Sequence, residues 1–382
     1  MDYVTLNNDV KMPQVGLGTY LLTPDDAQPS VTYALDNGYE LIDTANSYVN
    51  EHAVDRGMRD SGRTREQIFL ETKLWPCFYE SDTAVDETLE RLGCDYIDLM
   101  ILHQPAGDYV AGYAKLEAAY KAGKLRSIGI SNFNQSEIEN LLAHCEVMPA
   151  LIQVECHPYF PQTELKALLD KYGIVLQAWY PLGGRDNKVI LEEPVVRELA
   201  AKYGKTPAQV IMRWHVQQGN VVIPGSKTPS HIADNIDIFD FELTDEDMSQ
   251  MAALDHGKPF YERTAEKLAF YSTWHPDVEG QKKIGRAQAN SHGSIEHQHR
   301  HPSRFAVARY PVVRITCRHH RHSRAAIESH RHLDDRTLLA RRWNAWHGRR
   351  RLDHTHCSLA HHVVCQSLFG CERHDRACRR RR

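Results

Sequence analysis

Residues 68 to 103 read IFLETKLWPCFYESDTAVDETLERLGCDYIDLMILH. Two short apolar runs, Ile68 to Lys73 and Ile97 to His103, stand on either side of a helical pattern over residues 80 to 92. Runs of six or seven apolar residues bounded by polar punctuation read as core strands, and a strand, a helix and a second strand form one βαβ unit. Each run closes on an ionisable side chain, Lys73 in the first and His103 in the second. Core strands seldom end this way unless the ends carry chemistry.

The same alternation continues outward from this unit. Gly16 to Thr19 and Tyr39 to Asp43 precede it as strands. Leu125 to Ser131, Ile152 to Glu155, Val175 to Trp179 and Val221 to Pro224 follow it. Helical patterns lie between them near 25–37, 51–61, 110–122, 136–145, 163–172, 193–218 with a break at Gly204 to Pro207, and 229–236. Ser136 stands before an apolar-periodic run, Thr206 is followed by Pro207, and Thr244 heads an acidic first turn; all three are helix-start signals. A hairpin comes first, with Val4 to Leu6 and Val10 to Met12 flanking Asn7, Asn8 and Asp9.

Eight β-then-α units in fewer than 260 residues indicate an α/β fold of the (β/α)8 type, a TIM barrel closed by an N-terminal β-hairpin. The competing architecture is an open doubly wound sheet, whose first strand normally runs into a glycine-rich phosphate loop. Gly16-Leu17-Gly18-Thr19 lacks the third glycine and the helix start that would complete that fingerprint.

In a parallel barrel the loops after the strands form the functional face. That geometry gathers Asp43, Lys73 and His103, together with Tyr48 five residues beyond Asp43. Singly, Asp43 and Lys73 read as a structural ion pair, His103 as a satisfied strand end and Tyr48 as packing. Together on three successive strand ends they read as a proton-transfer site. A phenol with an ordinary pKa near 10 is a poor acid at neutral pH, and the expectation is that the Lys73 ammonium lowers it. Asp43 would balance the buried lysine, and His103 would orient a substrate oxygen. Such a site protonates an oxygen as negative charge develops on it, as a carbonyl accepting hydride requires.

Three further segments carry a resemblance. Gly38 to Ala45 (GYELIDTA) followed by Glu51, Leu125 to Phe133 (LRSIGISNF) and Gln153 to Pro158 (QVECHP) resemble, in order, motifs of the aldo-keto reductase family over about residues 3 to 283. The resemblance implies an NAD(P)H-dependent oxidoreductase acting on small carbonyls, dicarbonyls or keto-sugars. Tyr48 would be the general acid, Asp43 and Lys73 its tuning pair, and His103 the positioning group. It also implies cofactor contacts: Ser131, Asn132 and Gln153 at the carboxamide, Trp179 stacked on the nicotinamide, and Leu182 over the pyrophosphate. Ser226, Lys227, Thr228, His231 and Asn235 would lie at the adenosine end. Tyr20 and Trp75 would line the substrate pocket beside His103.

The adenosine end departs from the family pattern, which often has a Lys and an Arg where this chain has Gly225 and His231. Fewer cations weaken the hold on a 2′-phosphate, so NADPH is expected with tolerance of NADH. The rings of Phe260, Tyr261, Phe270, Tyr271 and Trp274 would either close over the substrate or seal the barrel flank. An alternative function is a nucleotide-binding regulatory subunit of the same fold without turnover.

Composition breaks near residue 283. Up to Gly285 there are 25 Lys+Arg against 43 Asp+Glu, a net of −18; beyond it there are 21 against 7, a net of +14, and every base is Arg. The terminal segment also holds 15 of 23 His and 5 of 9 Cys, with no helical or strand periodicity and no paired spacing of a zinc site. The expected division is therefore a barrel over 1–283 and an Arg/His-rich extension over 284–382 of low order. That extension reads as translation in a shifted frame, with a basic tail or a small metal module as the other readings. No resident metal is expected, and nucleic acid is disfavoured as a partner. The polar start, the absence of a long apolar run and the scattered Cys77, Cys94, Cys145 and Cys156 imply a cytoplasmic protein with reduced thiols and no membrane span. The self-contained barrel implies a monomer.

Overall fold

The computed structural model describes residues 1–184 and 188–283; the expected extension over 284–382 lies outside the described residues. Strands β1 (Tyr3–Thr5) and β2 (Lys11–Pro13) pair antiparallel across a turn in which Asp9 takes φ 67°. Eight parallel strands follow: β3 (Gly16–Gly18), β4 (Leu41–Asp43), β5 (Phe69–Leu74), β6 (Leu99–Leu102), β7 (Ile128–Ser131), β8 (Leu151–Glu155), β9 (Val175–Trp179) and β10 (Val221–Val222). Each pairs with the next in chain order. The ring closes where Val15 bridges Val222, the Val222 N–H donates to Gln14 O at 2.8 Å and the Gly18 N–H donates to Pro224 O at 3.3 Å. A Cβ on Gly18 would stand 2.5 Å from the Ile223 carbonyl oxygen, so this glycine permits the seam to close.

The helices are α1 (Pro24–Asp36), α2 (Glu51–Asp60), α3 (Ala84–Arg91), α4 (Tyr109–Lys121), α5 (Gln135–Leu142), α6 (Thr163–Asp170), α7 (Pro194–Tyr203), α8 (Pro207–Gln217), α9 (Pro229–Ile236), α10 (Asp245–Ala252) and α11 (Ala265–Thr273). Thr206 and Thr244 cap α8 and α10 through reciprocal bonds with Gln209 and Asp247. Ser136 does not start α5. Asn134 does, since its side chain accepts the Glu137 N–H while Glu137 reaches back to the Asn134 N–H, leaving Ser136 within the first turn. The 125–131 strand begins only at Ile128, and Leu125 contributes an isolated bridge to Ile97. Helix α11, which the sequence pattern leaves unmarked, buries none of its own residues fully and is held by contacts of Tyr271 and Trp274 with Trp75.

Strand alternation divides the apolar side chains between two cores. Ile42, Leu70, Met100, Leu102, Ile130, Ile152, Val154 and Leu176 face the helices in the larger core. Leu41, Phe69, Leu99, Ile101, Leu151 and Val221 fill the barrel, plugged at the lower end by Leu6 and Met12 of the hairpin. Burying a side chain of this size contributes about 1.5–3 kcal/mol. The interior changes character along the strands. Above the apolar layer the inward positions are Asp43, Glu71, Gln153 and Gln177, all buried. Two residues further along come Lys73, Glu155 and Trp179, joined by His103 just past the end of β6. The carboxyl ends of the strands are thus polar and the amino ends dry.

Candidate active site

Lys73 has a fully buried side chain, which forms an ion pair with Asp43 and donates to Thr44 O at 3.0 Å. A buried ammonium survives only with such partners. Tyr48 ends the tight turn Asn46–Tyr48, tied down because Asn50 donates to the carbonyls of Thr19 and Leu22 at 3.0 Å each and accepts from Thr44 Oγ1 at 2.9 Å. Its ring centroid lies 4.9 Å from Lys73 Nζ and 5.6 Å from the His103 ring, which meets it edge-on. His103 Nδ1 stands 3.2 Å from Ser47 Oγ. The four residues expected to meet do meet.

Their electrostatics differ from expectation at one point. The Tyr48 phenol is held well above its ordinary value, by burial first and then by the negative charges of Asp43 and Glu71. The Lys73 charge does not reverse this, because Asp43 already engages it. Burial, reinforced by Lys73, holds His103 well below the usual imidazole range, so the ring is neutral at physiological pH. Burial also lifts the Asp43 carboxyl above its ordinary value, against the pull of Lys73.

Two residues outside the expected set belong to this network. Glu71 and Gln177 lie on the same interior level as Asp43 and Gln153. Gln153 Nε2 lies 3.1 Å from Asp43 Oδ1, 2.9 Å from Glu71 Oε1 and 2.7 Å from Gln177 Oε1, and Gln177 Nε2 donates to Glu71 Oε2 at 2.7 Å. The sequence reading passes over Glu71, for which the available signal is side-chain parity: it stands two residues before Lys73 on one strand, so both point inward.

The residues expected at a carboxamide gather beside the tetrad, on or just past β7, β8 and β9. Ser131 Oγ is buried with no hydrogen-bond partner among the described residues, an orphan acceptor and donor that a polar ligand group would satisfy. Asn132, at φ 66°, donates to His103 O at 3.1 Å and accepts from Trp179 Nε1 at 2.9 Å. Gln153 has committed its amide nitrogen to the carboxyl network, which leaves Oε1 as its contact for a ligand. Trp179 stands edge-on to Tyr180 and Tyr261. The Ser131 hydroxyl, the Gln153 Oε1 and the flat indole fit a carboxamide and the ring that bears it.

The residues expected at the adenosine end do not join this cluster. Lys227 lies 3.4 Å from Asp26 with most of its side chain in solvent, Ser226 Oγ accepts the Thr228 N–H at 3.1 Å, and His231 is exposed at the start of α9. Asn235 is buried on the same helix, and Leu182 packs partly into the core.

On the substrate side, Tyr20 is 40% exposed with its ring 5.0 Å from Tyr48, and the buried Trp75 meets His103 edge-on at 5.0 Å. Trp75 Nε1 donates to Trp274 O at 3.1 Å, and the Tyr271 and Trp274 rings stand on it at 5.2 Å each. Glu155 anchors the same terminal segment, accepting the N–H groups of Phe260 and Tyr261. Of the terminal rings, Tyr271 and Trp274 reach the mouth, while Phe260 stacks on His157 at 4.6 Å.

The aldo/keto reductase family model matches residues 14–256. The chain belongs to the aldo/keto reductase family. This aldo-keto reductase is 43% identical over 270 residues to morphine 6-dehydrogenase of Pseudomonas putida, a match covering 66% of this chain and 91% of that one. It is 42% identical over 261 residues to an aldo-keto reductase of Mycolicibacterium smegmatis, covering 67% and 94%. Among solved structures, the aldo/keto reductase of Brucella melitensis superposes with a TM-score of 0.64 at 40% identity, covering 66% of this chain and 98% of that one. An aldo-keto reductase of Bombyx mori in complex with NADP gives 0.66 at 31%, covering 70% and 96%. Members of this family are oxidoreductases that use a nicotinamide cofactor. No helix among the described residues is long and apolar enough to cross a membrane, and no described cluster of His, Cys, Asp and Glu could hold a metal ion.

Proposed function

We propose that this aldo-keto reductase reduces aldehydes or ketones to alcohols with NADPH, accepts NADH, and uses Tyr48 as the proton donor. The observation that carries the reading is the convergence of Tyr48, Lys73 and a neutral His103 at the carboxyl mouth of the barrel. A bound reduced nicotinamide supplies the hydride to the carbonyl carbon. Ser131, Asn132 and Gln153 would hold its carboxamide, Trp179 would lie against its ring, and Leu182 would lie at the pyrophosphate. Ser226, Lys227, Thr228, His231 and Asn235 would receive the adenosine end.

His103 donates a hydrogen bond from Nε2 to the carbonyl oxygen, its Nδ1 being turned toward Ser47. Tyr48 passes its proton to that oxygen as charge builds there. Its raised pKa keeps it protonated in the resting site, and the developing oxyanion, far more basic than a carbonyl, takes the proton. Lys73 faces the phenolate that remains, and Asp43 keeps Lys73 in place. Tyr20, Trp75, Tyr271 and Trp274 screen the site from water and suit a carbonyl with a planar or apolar flank. One relative is named for morphine, which agrees with a ring-walled mouth; dicarbonyls and keto-sugars fit the polar centre.

We read the enzyme as a cytoplasmic monomer whose activity resides in residues 1–283, with residues 284–382 dispensable. A panel of aromatic aldehydes, dicarbonyls and keto-sugars, assayed with each cofactor on the full chain and on a chain ending at Lys283, tests this. Turnover by both chains is expected, with NADH efficiency within about a thousandfold of NADPH, or ~4 kcal/mol. Nucleotide binding without turnover of any carbonyl would point instead to the regulatory reading.

A further inference from the structure

Two carboxyl groups lie together beneath the tetrad. Asp43 and Glu71 are opposed across β4 and β5, both point into the barrel, and both are buried. Their side chains converge on one donor, Gln153 Nε2, which lies 3.1 Å from Asp43 Oδ1 and 2.9 Å from Glu71 Oε1. Carboxylates are acceptors only, so two of them at one donor require a proton between them. The surroundings do not remove that need. Lys73 donates to Asp43 and Thr44 O and reaches Glu71 only by its charge, whose pull is smaller than the push of burial and Asp43, and Glu71 accepts from the amides of Gln153 and Gln177. Gln153 Nε2 has two hydrogens facing three acceptors, one more than it can serve in full.

We propose that Glu71 is a positioning residue for the reductase tetrad, donating its carboxyl proton to Asp43 so that the pair presents a single negative charge to Lys73 and Tyr48. The inference rests on the reductase reading for its kinetic consequence but not for the shared proton itself. Burial, and next the Asp43 charge, push the Glu71 carboxyl up to about 8, which keeps it neutral at physiological pH. The charged or titratable groups acting on the pair are Lys73 on β5 and Tyr48 on the 46–48 turn, while Gln153 and Gln177 from β8 and β9 are neutral.

The consequence is a pH-dependent acid strength. Above about pH 8 Glu71 loses its proton, and a second negative charge beneath Tyr48 binds the phenol proton more tightly. Glu71→Gln keeps the shape and an N–H donor but cannot ionise. In this variant the alkaline limb of kcat/KM should move to lower pH by about one unit, because Tyr48 no longer meets the second charge.

Stability gives the sign again. A Glu whose folded pKa exceeds its unfolded value stabilises fully below the unfolded value, and that contribution is lost as pH rises through the folded one. The Tm of Glu71→Gln relative to the parent should therefore climb between about pH 5 and 9.

Infrared difference spectroscopy of the full chain, parent against Glu71→Gln at neutral pH, reads the proton without turnover. The expected result is a protonated-carboxyl C=O band that the variant loses and that fades in the parent with a midpoint near pH 8. The parent titration stands alone should the variant fail to fold. A neutral-pH band that survives in Glu71→Gln, a parent band unchanged through pH 9, or superimposable pH profiles would overturn the assignment. A parent chain without reductase turnover but with the titrating band would strike the functional reading alone.

Discussion

The two ends of the proposed cofactor site are built in opposite ways. At the nicotinamide end, Asp43, Lys73, Ser131 and Gln153 are almost wholly buried, on strands whose neighbours fix them, and the bonds of Asp43 to Lys73 and Gln153 leave those three little freedom. At the adenosine end, Ser226, Lys227 and His231 stand on the barrel's rim, and Lys227 pairs with Asp26 through a side chain 65% exposed. A polar group in the interior is constrained by every neighbour that must satisfy it. On the rim, water satisfies it. The reaction is therefore hard to alter without disturbing the fold, whereas nucleotide preference is open to substitution.

The largest effect expected from breaking this contrast is at Lys73. Lys73→Met leaves Asp43 buried beside Glu71 without a cation, and removing one partner of such a pair costs about 3–5 kcal/mol. Denaturant unfolding and kcat should both fall sharply; a variant as stable as the parent would show that the interior network is not what holds this end. Next comes the mouth. Trp274→Ala removes a ring stacked edge-on against Trp75, and KM for ring-bearing carbonyls should rise about tenfold, a loss of ~1.4 kcal/mol, with smaller change in kcat.

The rim should respond differently. His231→Arg restores a guanidinium on an exposed helix start, raising the NADPH:NADH efficiency ratio several-fold, on the order of 1 kcal/mol, with Tm unchanged. Gly225→Lys should gain less and destabilise, because a Cβ there would lie 3.0 Å from the Gly18 carbonyl oxygen at the barrel seam. Equal stability of the two variants would contradict the distinction drawn within the rim itself.

Much of this was legible in the residues. Strand and helix periodicities marked all eight barrel units because parallel strands covered by helices are apolar along their length, and Lys73 and His103 stood out against that background. Other features depend on tertiary contact. Helix α11 owes its place to Trp75, nearly 200 residues earlier, and no local pattern announces it. The direction of the Tyr48 pKa depends on depth and on a second carboxylate from another strand. Glu71 lies between these cases, since its parity with Lys73 was visible but its contact with Asp43 required the register of β4 on β5. Gln177 shares the inward face with Trp179 in the same way, and only pairing with Gln153 shows its use.

Single-turnover reduction by Tyr48→Phe, measured beside cofactor affinity, addresses the central claim most directly. Removing the phenol proton should slow the chemical step on the order of a thousandfold, or ~4 kcal/mol, while the NADPH dissociation constant stays within about twofold. Turnover within tenfold of the parent, with the cofactor bound equally well, would contradict the assignment of Tyr48 as the acid.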